Sequence, residues 1–180
     1  MRSLLEKIKE SAAKHLTLPA GRKPAQELNR YRRYLKVETL RLRILHRGGG
    51  GGRQVCQARA AMLDELLCHL VATVQACNPP PPGKPHPELA LVAIGGYGRG
   101  ELNPQSDIDI MFLHPFESVS RSNPHPWLTL VTEGILYDLG LKVGYSVRSI
   151  ADCVQVANAD MQSKTSLLES RLITGDAKLF

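Results

Sequence analysis

Leu91-Val92-Ala93-Ile94-Gly95-Gly96-Tyr97-Gly98-Arg99-Gly100-Glu101-Leu102-Asn103-Pro104-Gln105-Ser106-Asp107-Ile108-Asp109-Ile110 is the stretch that decides the fold. Its apolar run from Leu89 to Ile94 suits a strand buried on both faces. Four of the six residues from Gly95 to Gly100 are glycine, so the backbone there is free to approach a ligand closely. Successive N–H groups in such a turn form an anion-binding concavity, and Arg99 adds a forked cation for phosphate oxygens. Residues 107–113 predict a second strand. Residues two apart on a strand share a face, roughly 6.6–7 Å apart. Asp107 and Asp109 therefore point together, while Ile108 and Ile110 point into the core. Their mutual repulsion is relieved by a hard divalent cation, and paired Asp oxygens suit Mg²⁺. A phosphate cradle facing a metal pair is the start of a two-metal site for in-line displacement at phosphorus. Ser106 stands where it either positions the metal loop or simply holds the turn.

On the C-terminal side, residues 127–139 have helical spacing. Residues 142–148 alternate Val143, Tyr145 and Val147 against Gly144, Ser146 and Arg148, which predicts a third strand. A short helix over 150–157 and a fourth strand over 166–173 complete this half. On the N-terminal side, residues 1–24 read as a flexible leader with a short amphipathic helix, broken by Pro19 to Pro24. Residues 25–78 predict a helical hairpin. Leu28, Tyr31, Leu35, Leu42 and Leu45 mark its first helix, Met62, Leu63, Leu66, Leu70 and Val74 its second. Gly48 to Gly52 lies between two helices and lacks a following Lys-Ser or Lys-Thr, so it reads as a turn rather than a phosphate loop. Residues 79–88 form a Pro-rich linker, and 89–180 the sheet-bearing domain. The expected class is α+β, a small mixed sheet flanked by helices and preceded by the helical hairpin.

The chain has 180 residues, 43% of them hydrophobic and 22% charged, enough to bury a core. No run of about 18 uninterrupted apolar residues occurs, which argues against a membrane span. Cys56, Cys68, Cys77 and Cys153 form no C-x-x-C pair, and the six histidines show no H-x₃-H spacing, so a zinc site is not indicated. The cytoplasm is the expected location. Residues 1–60 hold 15 Lys and Arg against 4 acids, whereas residues 61–180 hold 8 against 13. Such a basic segment is either a solvated helix face or an attractor of acidic partners. Tyr31 and Tyr34 are its only aromatics, no stacking platform for bases, which argues against nucleic acid.

Residues 93–109 resemble the nucleotidyltransferase pattern of the DNA polymerase β superfamily. More closely, they are similar to the N-terminal domain of bacterial protein-PII uridylyltransferase/uridylyl-removing enzymes. Leu139-Gly140-Leu141-Lys142-Val143-Gly144-Tyr145-Ser146-Val147-Arg148 resembles that family's GLxVGHSVR segment, with Tyr145 in place of the usual His. Residues 165–175 resemble its TxLLExRxLxG segment. The likeness covers roughly residues 53–180. It implies a polymerase β-like fold and transfer of UMP from UTP to a tyrosine hydroxyl of the PII nitrogen-regulatory protein, with pyrophosphate released. By the same resemblance Asp107 and Asp109 hold Mg²⁺, Gly95 and Gly96 bind the triphosphate with Arg99 and Ser106 nearby, and Glu169 supplies a third catalytic carboxylate. The family's full-length members add an HD phosphohydrolase domain and two ACT domains. This chain has no His-Asp dipeptide and stops at Phe180, so the expectation is an N-terminal portion with transferase activity alone. Two other readings stay open: a relative with another acceptor (an adenylyltransferase or RNA-end transferase), and a nucleotide-binding regulatory fragment that no longer catalyses.

Overall fold

Three helices come first: α1 (Leu4–Leu16), α2 (Leu28–Arg47) and α3 (Gly52–Cys77). Next come strand β1 (Ala90–Ala93), the short helix α4 (Gly95–Gly98), and strands β2 (Ile108–His114) and β3 (Val143–Ser149). Helices α5 (Ile150–Ala159) and α6 (Met161–Leu168) lead into strand β4 (Arg171–Gly175). The computed structural model describes residues 3–80, 82–83, 88–115 and 135–180. The helix expected over 127–139 lies mostly outside them.

The four strands form one sheet in the order β3-β2-β1-β4. β1 runs antiparallel to both β2 and β4, while β2 and β3 are parallel, giving the mixed sheet expected of an α+β fold. Alternation along the strands sorts the side chains onto two faces. Leu91, Ala93, Ile108, Ile110 and Phe112 pack into one apolar cluster with α1, α2 and α3. Ala90, Val92, Met111 and Leu113 form the other, with Cys153 from α5 and Leu167 from α6 against them. The helical hairpin and the sheet thus share a core. By length and composition α3 would suffice to cross a membrane, but its Leu63, Leu66, Leu67 and Leu70 belong to that core. Burial raises the Cys68 thiol to about 11 and also raises that of Cys153, so neither is poised to react.

The N-terminal segment differs from the expected loose leader. Ser3 and Glu6 make a reciprocal cap: Ser3 Oγ accepts the Glu6 N–H at 3.2 Å, and Glu6 Oε2 accepts the Ser3 N–H at 2.6 Å. Ile8 and Leu16, 0% and 1% exposed, then plant α1 in the core. Ser11 donates its hydroxyl to the buried Glu38 at 2.5 Å, tying α1 to α2. The glycine run serves as the expected turn, with Gly48 capping α2 and α3 starting at Gly52.

The expected fourth strand begins only at Arg171. Residues 161–168 are instead helix α6, started by Asp160, whose Oδ2 accepts the Ser163 N–H at 2.7 Å.

Asp64, which reads in sequence as surface charge, is an anchor. Its carboxylate accepts two hydrogen bonds from Arg171, at 3.0 and 3.1 Å, and one from the Tyr97 hydroxyl at 2.8 Å. Arg171 also donates to the Gly98 and Tyr97 carbonyls, both at 3.3 Å, and stands over the Tyr97 ring. One residue thereby joins β4, α3 and α4. A fully buried pair broken on one side costs about 3–5 kcal/mol. Arg171 and Asp64 retain partial exposure, so Arg171→Ala is expected to cost less, about 1–3 kcal/mol in urea unfolding. An unchanged unfolding midpoint would contradict the anchor.

Candidate active site

The site is assembled where β1 leaves the sheet. The Ile94 N–H donates to the Asp109 carbonyl at 3.1 Å, extending the β1–β2 pairing one step past Ala93 and Ile110. This brings Gly95 beside the aspartate-bearing end of β2. Gly95 has φ +59°, a left-handed conformation that turns the chain sharply into α4. In that first turn the N–H groups of Gly95, Gly96 and Tyr97 have no carbonyl inside the helix to bond. Those of the half-buried Gly95 and Gly96 are candidate donors to an anion, whereas Tyr97 is buried.

Asp107 and Asp109 flank the buried Ile108, and both are exposed. Partial burial, and then the charge of Asp107, raise the Asp109 carboxyl above the usual carboxylate range. Gly144 on β3 stands opposite Asp109, and a Cβ there would lie 2.5 Å from Asp109 Oδ1. Any side chain at 144 would crowd the carboxylate; glycine leaves it room. An open cleft of about 310 Å³ results, lined by Gly95, Asp109, Arg148, Asp160, Gln162, Ser163 and Ser166 among others. Among the described residues no cluster of three or more His, Cys, Asp and Glu forms a ready metal site. Two adjacent carboxylates that repel each other fit a divalent cation whose remaining ligands come from water and substrate oxygens.

Gly95 and Asp109 thus meet at one cleft, with Asp107 acting on Asp109. Gly96 borders them, and a Cβ there would lie 3.5 Å from Arg99 Nη2. Arg99 is ion-paired to Glu169 and faces a different groove, which it shares with Asp64 and Arg171. A strand over 166–173 would put Arg171 on one face with Glu169, but Glu169 precedes β4. It is the residue that closes α6, and its carboxylate is held by Arg99 rather than grouped with the aspartates. The Ser106 hydroxyl donates to the Asn103 carbonyl at 2.9 Å, holding the turn before β2. Tyr145 neighbours Gly144 on β3 and so points to the face opposite Asp109, which keeps the replaced histidine position out of the cleft.

The sequence reading singled out none of Asp160, Gln162, Ser163 and Ser166 as cleft residues. Gln162 and Ser163 sit on α6, whose only sequence signal was the capping Asp160. Arg148, which the sequence leaves between a phosphate contact and a strand-end cap with the cap favoured, shares the face of Gly144 and Asp109 and lines the cleft.

Residues 84–171 match the nucleotidyltransferase domain family. The chain is 40% identical over 147 residues to the bifunctional uridylyltransferase/uridylyl-removing enzyme of Erythrobacter litoralis, covering 79% of this chain and 15% of that protein. It is 39% identical over 136 residues to the protein of the same description from Novosphingobium aromaticivorans, covering 72% of this chain and 14% of the relative. The counterpart in Rhodopseudomonas palustris is 37% identical over 131 residues, 69% of this chain and 13% of its own length. The mixed sheet, with its glycine turn and aspartate pair, is consistent with the polymerase β-like fold of such domains. Residues 84–171 carry a nucleotidyltransferase domain, and the chain spans about 15% of the length of the first of these relatives.

Proposed function

We propose that the cleft between Gly95 and Asp109 takes UTP and transfers its UMP to a tyrosine hydroxyl of a PII-type regulatory protein, releasing pyrophosphate. The observation that carries this reading is the meeting of a glycine turn and a carboxylate pair across one β1–β2 hydrogen bond. The names of the relatives support the choice of uridylyl and, through the family resemblance, of PII.

In this account Asp107 and Asp109 hold Mg²⁺, which when bound neutralises phosphate charge and favours in-line displacement. The acceptor oxygen bonds to the α-phosphorus as the bond to the bridging oxygen of the leaving pyrophosphate breaks. The N–H groups after Ile94 cradle the triphosphate, and Arg148 adds positive charge at the same cleft. Ser163, Ser166 and Gln162 on α6 present hydroxyl and amide groups to orient substrate. Glu169 and Arg99 act as a structural pair behind the turn.

Transfer of α-phosphate label to purified PII, with UTP, ATP, CTP and GTP in parallel and Mg²⁺ present, tests this. The expected result is label from UTP alone, lost in Asp107→Asn. Label transferred equally from all four nucleotides, or retained in that variant, would contradict the proposal.

A further inference from the structure

A further groove, of about 340 Å³, lies against α2 and α3 and shares no residue with the cleft at Asp109. Met62, Leu63 and Leu141 give it an apolar lining, and Lys36, Arg43 and Arg59 also face it. Among the described residues no Asp or Glu lines it. Of the arginines on these helices, Arg30 pairs with Glu27, Arg41 with Glu38 and Arg53 with Glu101, whereas Arg59 has no ion pair among the described residues. Arg59 Nε is enclosed yet bonds to no described group. Burial accordingly weakens its hold on the proton, with Cys56 opposing this. A partly desolvated guanidinium without a counter-charge is unfavourable, and an anion beside it removes the cost. Three cations over an apolar floor, in a volume suited to a small molecule, define the complementary ligand.

We propose that this groove binds a small organic anion, a carboxylate or phosphate on an apolar body. Arg59 is the central anchor, flanked by Lys36 and Arg43, and the apolar body lies on Met62, Leu63 and Leu141. The site sits next to the active-site framework. The Lys142 carbonyl, beside Leu141, accepts the Ile108 N–H at 2.9 Å, and Ile108 separates Asp107 from Asp109. Arg32 clamps the start of the same segment to α2 by donating to the Asp138 carbonyl at 2.8 Å. An occupant would bridge α2, α3 and the backbone that carries the aspartate pair.

Titration calorimetry on the 180-residue chain tests the site, with phenyl phosphate as the probe. Benzyl alcohol lacks its charge and inorganic phosphate lacks its apolar body. Saturable one-to-one binding of phenyl phosphate is expected, with each control at least about tenfold weaker. Arg59→Gln should weaken phenyl phosphate about tenfold or more, since it removes a charge-assisted contact. Lys36→Gln, at an exposed position with no ion pair among the described residues, is the second variant. Arg148→Gln removes a cation from the other cleft and should leave this affinity unchanged. Melting curves confirm that the variants are folded. Absence of saturable binding, unchanged affinity in both Arg59→Gln and Lys36→Gln, or loss confined to Arg148→Gln would overturn the proposal.

Discussion

Asp109→Asn is expected to reduce nucleotidyl transfer by about 10²–10³-fold or more, the scale of losing one preorganised charge at a reacting phosphate. The substitution keeps the shape of the side chain and the β1–β2 hydrogen bond, which uses the Asp109 backbone carbonyl. It removes one of two carboxylates from a site where no third is grouped with them among the described residues. The fold should not suffer. In the folded chain partial burial, then Asp107, raise the Asp109 carboxyl above its ordinary value. The proton is therefore bound more tightly by the folded than by the unfolded chain. Stability from that proton is fully present below the ordinary carboxylate value and is lost as pH rises through the folded-state value. At neutral pH the ionised carboxylate destabilises the fold, and asparagine removes that effect. Melting curves should show the variant at least as stable as the parent at pH 7, the difference closing in acid. Turnover within twofold of the parent would sink the role given to Asp109.

Gly98→Ala is expected to have the largest effect on stability. A Cβ at this position would lie 1.8 Å from the Glu169 carbonyl oxygen and 3.0 Å from that of Ala93. Both obstacles are backbone, so no side-chain rotation relieves the clash. Either α4 moves away from the turn between α6 and β4, or that turn moves. Overpacking of this kind costs about 1–3 kcal/mol and occasionally more. The Gly98 carbonyl also accepts from Arg171 Nε, so displacement loosens the Asp64–Arg171 anchor as well. Gly96 provides the contrast. Its added Cβ would meet nothing closer than 3.5 Å, so Gly96→Ala should stay within about 0.5 kcal/mol of the parent. Urea unfolding of the two variants side by side checks the difference. A Gly98→Ala chain as stable as Gly96→Ala would contradict the described packing of α4.

The central part of this architecture is written locally. The apolar run at β1, the glycine turn and the alternating aspartates of β2 each follow from a few adjacent residues. α2 and α3 are long, 20 and 26 residues, and their apolar periodicity is correspondingly plain. α6 had no such advantage. It is eight residues long, Met161 and Leu168 are 74% and 82% exposed, and Asp160 is its only strong boundary signal. Reading those residues as strand put Glu169 on a face with Arg171, whereas the helix ends there. The pairings that define the site's surroundings were out of reach for another reason. Arg99 and Glu169 are 70 residues apart, Asp64 and Arg171 107 apart, and only the folded sheet brings them together. The placement of α1 is of the same kind. Its amphipathic pattern is visible, but the surface it covers on α3 exists only after the chain has turned back.

The most direct measurement is titration calorimetry of UTP with and without Mg²⁺, on the parent chain and on Asp109→Asn. If the turn at Gly95 and the two aspartates form one nucleotide site, UTP binds the parent only when Mg²⁺ is present, and the variant loses that dependence together with most of the affinity. UTP binding that is equally tight without Mg²⁺, or unaltered by Asp109→Asn, would place the nucleotide elsewhere and contradict the account.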